Sequence, residues 1–324
     1  MDFKEYLSKG TPVFLAPMAG ITDAPFRALV SNFGATAVVS EMISSEALVR
    51  LNKKIYQRFT NRNSLKIAQI VGKNPQRMAE SAIISEDLGV HVIDINMGCP
   101  ARKIVSSGAG AALMKDEDLA VNIAESIVKS VKIPVILKMR LGWDDENINC
   151  ISLAKKFENV GIQMLTIHCR TRNQMYSGQA RWSYIRKLSG IIKIPYLCNG
   201  DIKSPNDAIC AIQESNSIGI MIGRASLGKP WLINQIMNFL DGQEIVPPPS
   251  IEEQFRIVME HFQAVLDFYG ETQGIKMFRK HFCWYSSKLK GSSSFREIIN
   301  HSEDLSFIKS CVKDFYEKQF DTIL

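Results

Sequence analysis

Short apolar runs rich in β-branched residues recur along the chain at 13–16, 36–42, 66–72, 90–96, 134–140, 164–170, 195–199 and 218–222. Between them lie stretches with helical spacing of apolar positions, among them 75–88, 117–130, 150–160 and 204–213. Asn74-Pro75 and Ser204-Pro205 supply a capping residue and a first-turn proline for two of these. The strand-like runs are nearly continuous in apolar character, the mark of strands buried on both faces of a parallel sheet. Eight such runs, each followed by a helix, predict an α/β fold of the parallel (β/α)8 TIM-barrel type. A doubly wound open sheet is the structural rival. It is weakened because the first strand leads into Ala16-Pro17-Met18-Ala19-Gly20 and not a G-x-G-x-x-G turn.

Pro247-Pro248-Pro249 ends the alternation, since three prolines favour a stiff extended connector. Beyond it, 250–269, 272–289 and 303–320 have helical periodicity and no strand-like run. The expected organisation is a catalytic barrel over 1–246 and a small helical domain of three or four helices over 250–324. A length of 324 residues suits a barrel of roughly 250 residues with an appendage.

Composition narrows the class further. Hydrophobic content of 46% with 22% charged residues excludes a disordered chain. The seven cysteines include no C-x-x-C pair and no metal-like spacing, so neither a disulfide framework nor a metal site is expected, and a reducing cytoplasm is the natural compartment. Asp2 and Glu5 without an apolar core argue against a signal peptide, and no apolar run is long enough to span a bilayer, so no membrane association is expected. The net charge of +6 is mild, but residues 276–296 hold six Lys and Arg and no acidic residue. That local asymmetry suits an anion-binding surface.

The candidate chemistry gathers at strand ends. Ile95-Asn96-Met97-Gly98-Cys99-Pro100 sets an amide and a thiol at the carboxyl end of a strand, where α/β barrels place their active sites. Gly98 permits a sharp turn and Pro100 stiffens the exit, so that Cys99 is held in one direction. Lys138 with Arg140, and His168 with Arg170, are i, i+2 pairs that share the inward face of a strand. Burying four cationic or potentially cationic groups near one mouth is expensive unless an anion lies there. Asn199-Gly200-Asp201 and Gly223-Arg224 follow the seventh and eighth runs, the usual place of a barrel phosphate site. Together these predict a phosphorylated ring cofactor across the barrel mouth, with Gln69 in reach of the ring. In 276–290, Arg279, Lys280 and Lys288 interleave with aromatics, a composition that fits nucleic acid. The helical spacing of Phe278, Phe282 and Tyr285 fits a plain core face equally well.

At this point the chain resembles the tRNA-dihydrouridine synthases, most of all the bacterial DusB-type branch. The resemblance runs from about residue 10 to about residue 300. Its carriers are Ala16-Pro17-Met18-Ala19-Gly20-Ile21-Thr22-Asp23, Asn96-Met97-Gly98-Cys99-Pro100, Lys138-Met139-Arg140, His168-Cys169-Arg170-Thr171-Arg172, Asn199-Gly200-Asp201-Ile202, and Gly223-Arg224 running to Gly228-Lys229-Pro230-Trp231. Arg279-Lys280-His281 with Trp284-Tyr285 also matches.

The resemblance implies an FMN-dependent oxidoreductase that reduces the C5–C6 double bond of particular D-loop uridines in tRNA, with NADPH as reductant. It implies FMN contacts from Pro17, Met18, Gln69, Lys138, His168, Asn199, Gly200, Asp201, Gly223 and Arg224. Asn96 is then the uracil contact and Cys99 the proton donor to C5, a role open to a thiol because it is mostly protonated at neutral pH. Arg140, Arg170, Arg279, Lys280 and Lys288 become the remaining substrate and tRNA contacts. Departures from the family pattern are modest: Cys169 stands where glycine is usual, and Arg181 where an aspartate commonly precedes Trp182. A monomer is expected, because the mouth must admit a large RNA. The rivals are an FMN barrel acting on a free pyrimidine, like dihydroorotate dehydrogenase, and a non-catalytic RNA-binding protein on a relic barrel.

Overall fold

The computed structural model describes residues 3–50 and 65–320, so Asp2 and the last residues assigned to the helical domain lie outside the described residues. Nine β segments form one all-parallel sheet: β1 Val13–Leu15, β2 Ala37–Val39, β3 Ile43–Ser44, β4 Lys66–Val71, β5 Val92–Met97, β6 Val135–Arg140, β7 Met164–His168, β8 Tyr196–Asn199 and β9 Gly219–Ile222. β2 pairs with both β1 and β4, and β1 pairs with β9, so the sheet closes on itself. The fold is the TIM barrel that the alternation of runs predicts.

The run 36–42 is the one that breaks. Val39 pairs with Ile67 and Ile43 with Ile70, so four steps along one strand match three along its neighbour. This is a bulge at 40–42. Its Ser40 Oγ accepts from the Gln69 N–H at 3.0 Å, and the bulge turns Met42 toward the barrel mouth. The remaining predicted runs are each found within a residue or two of their ends, with 164–170 stopping at His168.

Both faces of the strands are buried, so hydrophobicity alone hides the alternation. Ile93, Ile95, Leu137, Met139, Leu165 and Ile167 pack outward against the helices. Phe14, Ile67, Val92, Ile136, Met164 and Leu197 fill the barrel interior. Above this apolar layer the inward positions turn polar, through Gln69, Asp94, Asn96, Lys138, Thr166, His168 and Asn199. Of the barrel helices, Pro75–Asp87 and Pro205–Ser215 are capped by Asn74 and Ser204 as the sequence indicates. The stretch after β7 forms only a 3-10 helix, Trp182–Gly190.

Residues 247–249 are an irregular connector, after which Ser250 and Glu253 close a capping box on Ile251–Tyr269. Glu271–Ser286, Ser292–His301 and Leu305–Phe320 complete four helices. They share a second core that includes Phe262, Phe278, Phe282, Phe295 and Tyr316. Trp231, sixteen residues before the first proline of the connector, is part of that core. The aromatic spacing in 276–290 is thus a core face. The helices dock on the barrel helix Ala24–Asn32, where the Phe26 ring lies 5.5 Å from both His261 and His281. Burial pushes His261 down to about 3 and His281 well below the usual imidazole range, so both are neutral packing groups. No described helix is long and apolar enough to cross a membrane.

Candidate active site

A cavity of about 880 Å³ opens at the carboxyl end of the barrel strands. The sequence-selected residues Pro17, Met18, Gln69, Asn96, Cys99, Lys138, Arg140, His168, Arg170, Asn199, Gly200, Asp201, Gly223 and Arg224 all line it. They come from seven different strand ends that lie far apart in sequence, and barrel closure brings them together.

The thiol loop is held from two sides. Asn96 is the last inward residue of β5, and its Oδ1 accepts from the N–H of Gly98 at 3.1 Å and of Cys99 at 2.9 Å. Asn96 Nδ2 in turn donates to Gln69 Oε1 at 2.7 Å. From the other side Arg140 Nε donates to the Gly98 carbonyl at 2.8 Å. Below the thiol, Gly110 has φ +60, and a side chain there would meet the Cys99 carbonyl at 2.9 Å. Cys99 itself is half-buried and faces the cavity.

The cationic count at the mouth is lower than the sequence suggests. Burial, reinforced by Arg140 and Lys138, holds His168 well below the ordinary imidazole range, so it is neutral at physiological pH. Arg140 is 1% exposed and gives its remaining hydrogen bonds to the carbonyls of Thr171 and Met175, both at 2.8 Å. Arg170 lies just past β7 and is equally buried; it donates to the Ser177 and Gly178 carbonyls and pairs with Asp201 at 2.5 Å. Carbonyl dipoles and one carboxylate of the protein itself therefore compensate both arginines. Their guanidinium groups organise the 171–178 loop, and Asp201 is committed to Arg170 and to the Ala180 N–H at 2.9 Å. Burial would raise the Asp201 carboxyl, but the Arg170 and Ala180 hydrogen bonds and Arg170's charge hold it below the usual carboxylate range.

Three cations remain for a ligand: Lys138, Arg224 and exposed Lys203, which also lines the cavity. Lys138 donates to Asn199 Oδ1 at 3.1 Å, and Asn199 is fixed by its bond to the Met221 carbonyl at 2.7 Å. Burial first, then Arg140, pushes Lys138 down to about 8, so it still carries its proton at neutral pH. Arg224 follows β9, is more than half exposed, and stands 3.9 Å from Asp201. At Gly200, with φ +118, a Cβ would meet the His168 ring at 2.9 Å, so only glycine fits between that ring and the loop.

Some contributors were not singled out from sequence, among them Met42, Tyr176 and Lys203 in the lining and Asp94 beneath it. Met42 enters through the bulge. Tyr176, half-exposed, stands at the rim with its ring 4.7 Å from the Arg224 guanidinium carbon and 6.3 Å from His168. The signal available was an aromatic in the Gln174-Met175-Tyr176-Ser177-Gly178 loop, where little else is apolar. Asp94 lies one layer deeper and accepts from Gln69 Nε2 at 2.7 Å.

The C-terminal candidates do not join this cavity. Lys280 donates to the Gly20 carbonyl, between Asp23 and Glu41, and so ties the helices to the loop after β1. Arg279 donates to the Ser302 carbonyl at 2.9 Å and approaches Glu303. Lys288 is exposed, and it lies close enough to Lys229 to lower that lysine's affinity for its proton, although burial of Lys229 is the larger cause. Arg181, at the departing position, pairs with Asp145 at 2.8 Å across the rim. Among the described residues no group of three or more His, Cys, Asp or Glu side chains has the arrangement of a metal site.

The cavity suits a phosphorylated planar ring. Its volume is in the range of small-ligand sites. Ala16, Met18 and Met221 offer apolar walls, Gln69, Asn96 and Lys138 offer convergent polar atoms, and Arg224 stands at the end where the loops after β8 and β9 meet.

The chain is similar to known proteins over most of its length. The sequence pattern of the family described as "Dihydrouridine synthase (Dus)" matches residues 14–320. The chain is 47% identical over 307 residues to a "Probable tRNA-dihydrouridine synthase" of Rickettsia bellii, covering 94% of each. It is 40% identical over 308 residues to "tRNA-dihydrouridine synthase B" of Pseudomonas syringae pv. tomato, covering 94% of this chain and 91% of that one. Among solved structures, a 2-naphthoyl-CoA reductase in complex with 2-naphthoyl-CoA is similar at TM-score 0.55 and 13% identity, over 71% of this chain and 50% of that chain. The histamine dehydrogenase of Rhizobium sp. 4-9 is similar at TM-score 0.55 and 11% identity, over 78% and 48%. At such identities the likeness concerns the barrel fold alone.

Proposed function

The chain belongs to the dihydrouridine synthase family and is an oxidoreductase, and from that premise we propose that it reduces the C5–C6 double bond of D-loop uridines in tRNA, using FMN and NADPH. The observation that carries the finer reading is the convergence of Asn96, Cys99, Lys138, Asn199 and Arg224 on one cavity. Pro17, Met18, Gln69, Lys138, His168, Asn199, Gly200, Gly223 and Arg224 hold the cofactor in this reading, with Asp201 acting through Arg170. When bound, reduced FMN supplies the hydride for C6 of the uracil.

Asn96 presents its amide to the uracil while holding the Cys99 loop. Cys99 keeps a proton at Sγ and gives it to C5, where the enolate created at the ring needs one. Lys138 places a positive charge beside the developing negative charge. His168, neutral, contributes hydrogen bonding and no charge. The target base has to leave its stack to reach this depth, and half-exposed Tyr176 stands where it enters. The barrel over 1–246 is the catalytic unit and 250–324 the tRNA-binding unit in this proposal. Of Arg279, Lys280 and Lys288, Lys288 is the exposed one and serves as the phosphate contact, and the protein works as a cytoplasmic monomer.

The test is purification followed by assay. The expected result is a yellow protein that forms dihydrouridine in tRNA lacking it, faster with NADPH than NADH, and leaves free uracil derivatives unreduced. A colourless protein that cannot be loaded with FMN, or equal turnover of free pyrimidine, overturns the reading.

A further inference from the structure

One layer beneath the cavity floor sits a carboxylate that none of these steps uses. Asp94 lies on β5, two residues before Asn96, and is 2% exposed. It pairs across the sheet with Gln69, whose Nε2 donates to Asp94 Oδ2 at 2.7 Å. Gln69 Oε1 accepts from Asn96 Nδ2 at 2.7 Å, and Asn96 Oδ1 accepts from the Gly98 and Cys99 N–H groups. A single directed chain thus runs from Asp94 to the thiol loop. An ionised carboxylate can only accept, so it fixes the sense of every donor above it. Gln69 and Asn96 both line the cavity, whereas Asp94 does not.

Apolar side chains, Ile67, Val92, Ile136 and Met164, form the layer of the barrel interior below Asp94. Lys138 on β6 is the charged group whose field acts on it, with Arg140, His168 and Cys99 higher around the mouth.

We propose that Asp94 is a positioning residue that orients the Gln69 and Asn96 amides and sets a negative charge under the bound flavin, lowering that flavin's reduction potential. The inference rests on the FMN reading above. A flavin gains negative charge on reduction, and a buried carboxylate nearby opposes that gain, more strongly in a low-dielectric interior than in water. Burial drives the Asp94 carboxyl up to about 7, against the lowering effects of the Gln69 hydrogen bond and of Lys138. Its charge is therefore present in alkaline buffer and lost in acid.

The experiment uses full-length, FMN-loaded protein and the near-isosteric Asp94→Asn. At about pH 8.5, where the carboxylate is mostly charged, the midpoint potential of the variant is expected to lie positive of the wild type. At about pH 5.5, with the carboxyl neutral, the two are expected to converge. Equal potentials at the higher pH, or the same offset at both, overturn the proposal, because simple repacking has no reason to follow the carboxyl's titration. If Asp94→Asn does not fold, cofactor-free wild type decides. Its Asp94 carboxyl carbon resonance is expected to titrate near neutrality, and titration near pH 4, the ordinary carboxylate range, overturns it. A protein that binds no flavin refutes the FMN reading, while the cofactor-free titration still reports on Asp94 itself.

Discussion

At the barrel mouth, Gln69, Asn96, Lys138 and Asn199 turn their polar atoms toward one cavity, whereas along Glu271–Ser286 the cations turn back onto the protein. The difference follows from geometry. Inward positions of a closed barrel all face one axis, so polar residues at strand ends converge wherever they fall in sequence. A helix in contact with a barrel presents several sides, and a long cationic side chain takes the nearest carbonyl or carboxylate. Lys280 finds Gly20, and Arg279 finds Ser302 and Glu303. A run of basic residues is therefore weaker evidence of an RNA surface than the same charges at strand ends are of a ligand site.

The most severe break of this comparison is at the mouth. Cys99→Ala is expected to keep bound FMN and NADPH oxidation but to lower dihydrouridine formation by about 10²–10⁴, the usual worth of a positioned acid. Single-turnover assay on unmodified tRNA checks this, and full activity removes Cys99 from the acid role. Next is the rim pair. Arg170→Leu removes the ion pair, leaves Asp201 with the Ala180 N–H and the more distant Arg224, and releases the 171–178 loop, for a loss of roughly 3 kcal/mol in denaturant unfolding, the low end for a buried pair. Because the folded Asp201 carboxyl sits below its unfolded value, the pair's contribution is fully present above the unfolded value near 4 and fades as pH falls through the lower folded one. The wild type should therefore lose this increment only in strong acid, and the Arg170→Leu variant should show a flatter acid limb.

On the helical side the effects shrink. Lys280→Ala removes a charged hydrogen bond between the helices and the barrel and is expected to destabilise by about 1.5–3 kcal/mol without changing the salt dependence of tRNA binding. A reduced salt slope would return Lys280 to the RNA surface. Lys288→Ala is expected to leave thermal stability unchanged and to reduce that slope by less than about 1, the amount for one phosphate contact. Titrating tRNA affinity against salt for the two variants side by side measures both outcomes.

The barrel could be read from sequence because continuous apolar runs at regular spacing admit few other architectures. The break at 40–42 could not, since a bulge adds a residue without altering the apolar pattern. Cys99, Asn96 and the two glycine loops were legible because their residue types sit where strands end. Tyr176 was not, because a loop aromatic carries no period. Asp94 escaped notice because a lone acidic residue within an apolar run gives no sign of what faces it. The i, i+2 rule placed Lys138 and Arg140 on one face correctly, yet it said nothing of which carbonyls Arg140 meets.

What the sequence determined by itself is the order of strands and helices and which side chains stand at the carboxyl ends, because backbone periodicity and turn chemistry are local properties. What only the tertiary structure decided is which of those groups stay free for a ligand. His168 is neutral through burial, Arg140 and Arg170 are spent on loop carbonyls and Asp201, and Lys280 is spent on Gly20. Charge and hydrogen-bonding capacity in a protein are settled by neighbours that are distant in sequence, through desolvation and pairing, and no spacing rule contains them.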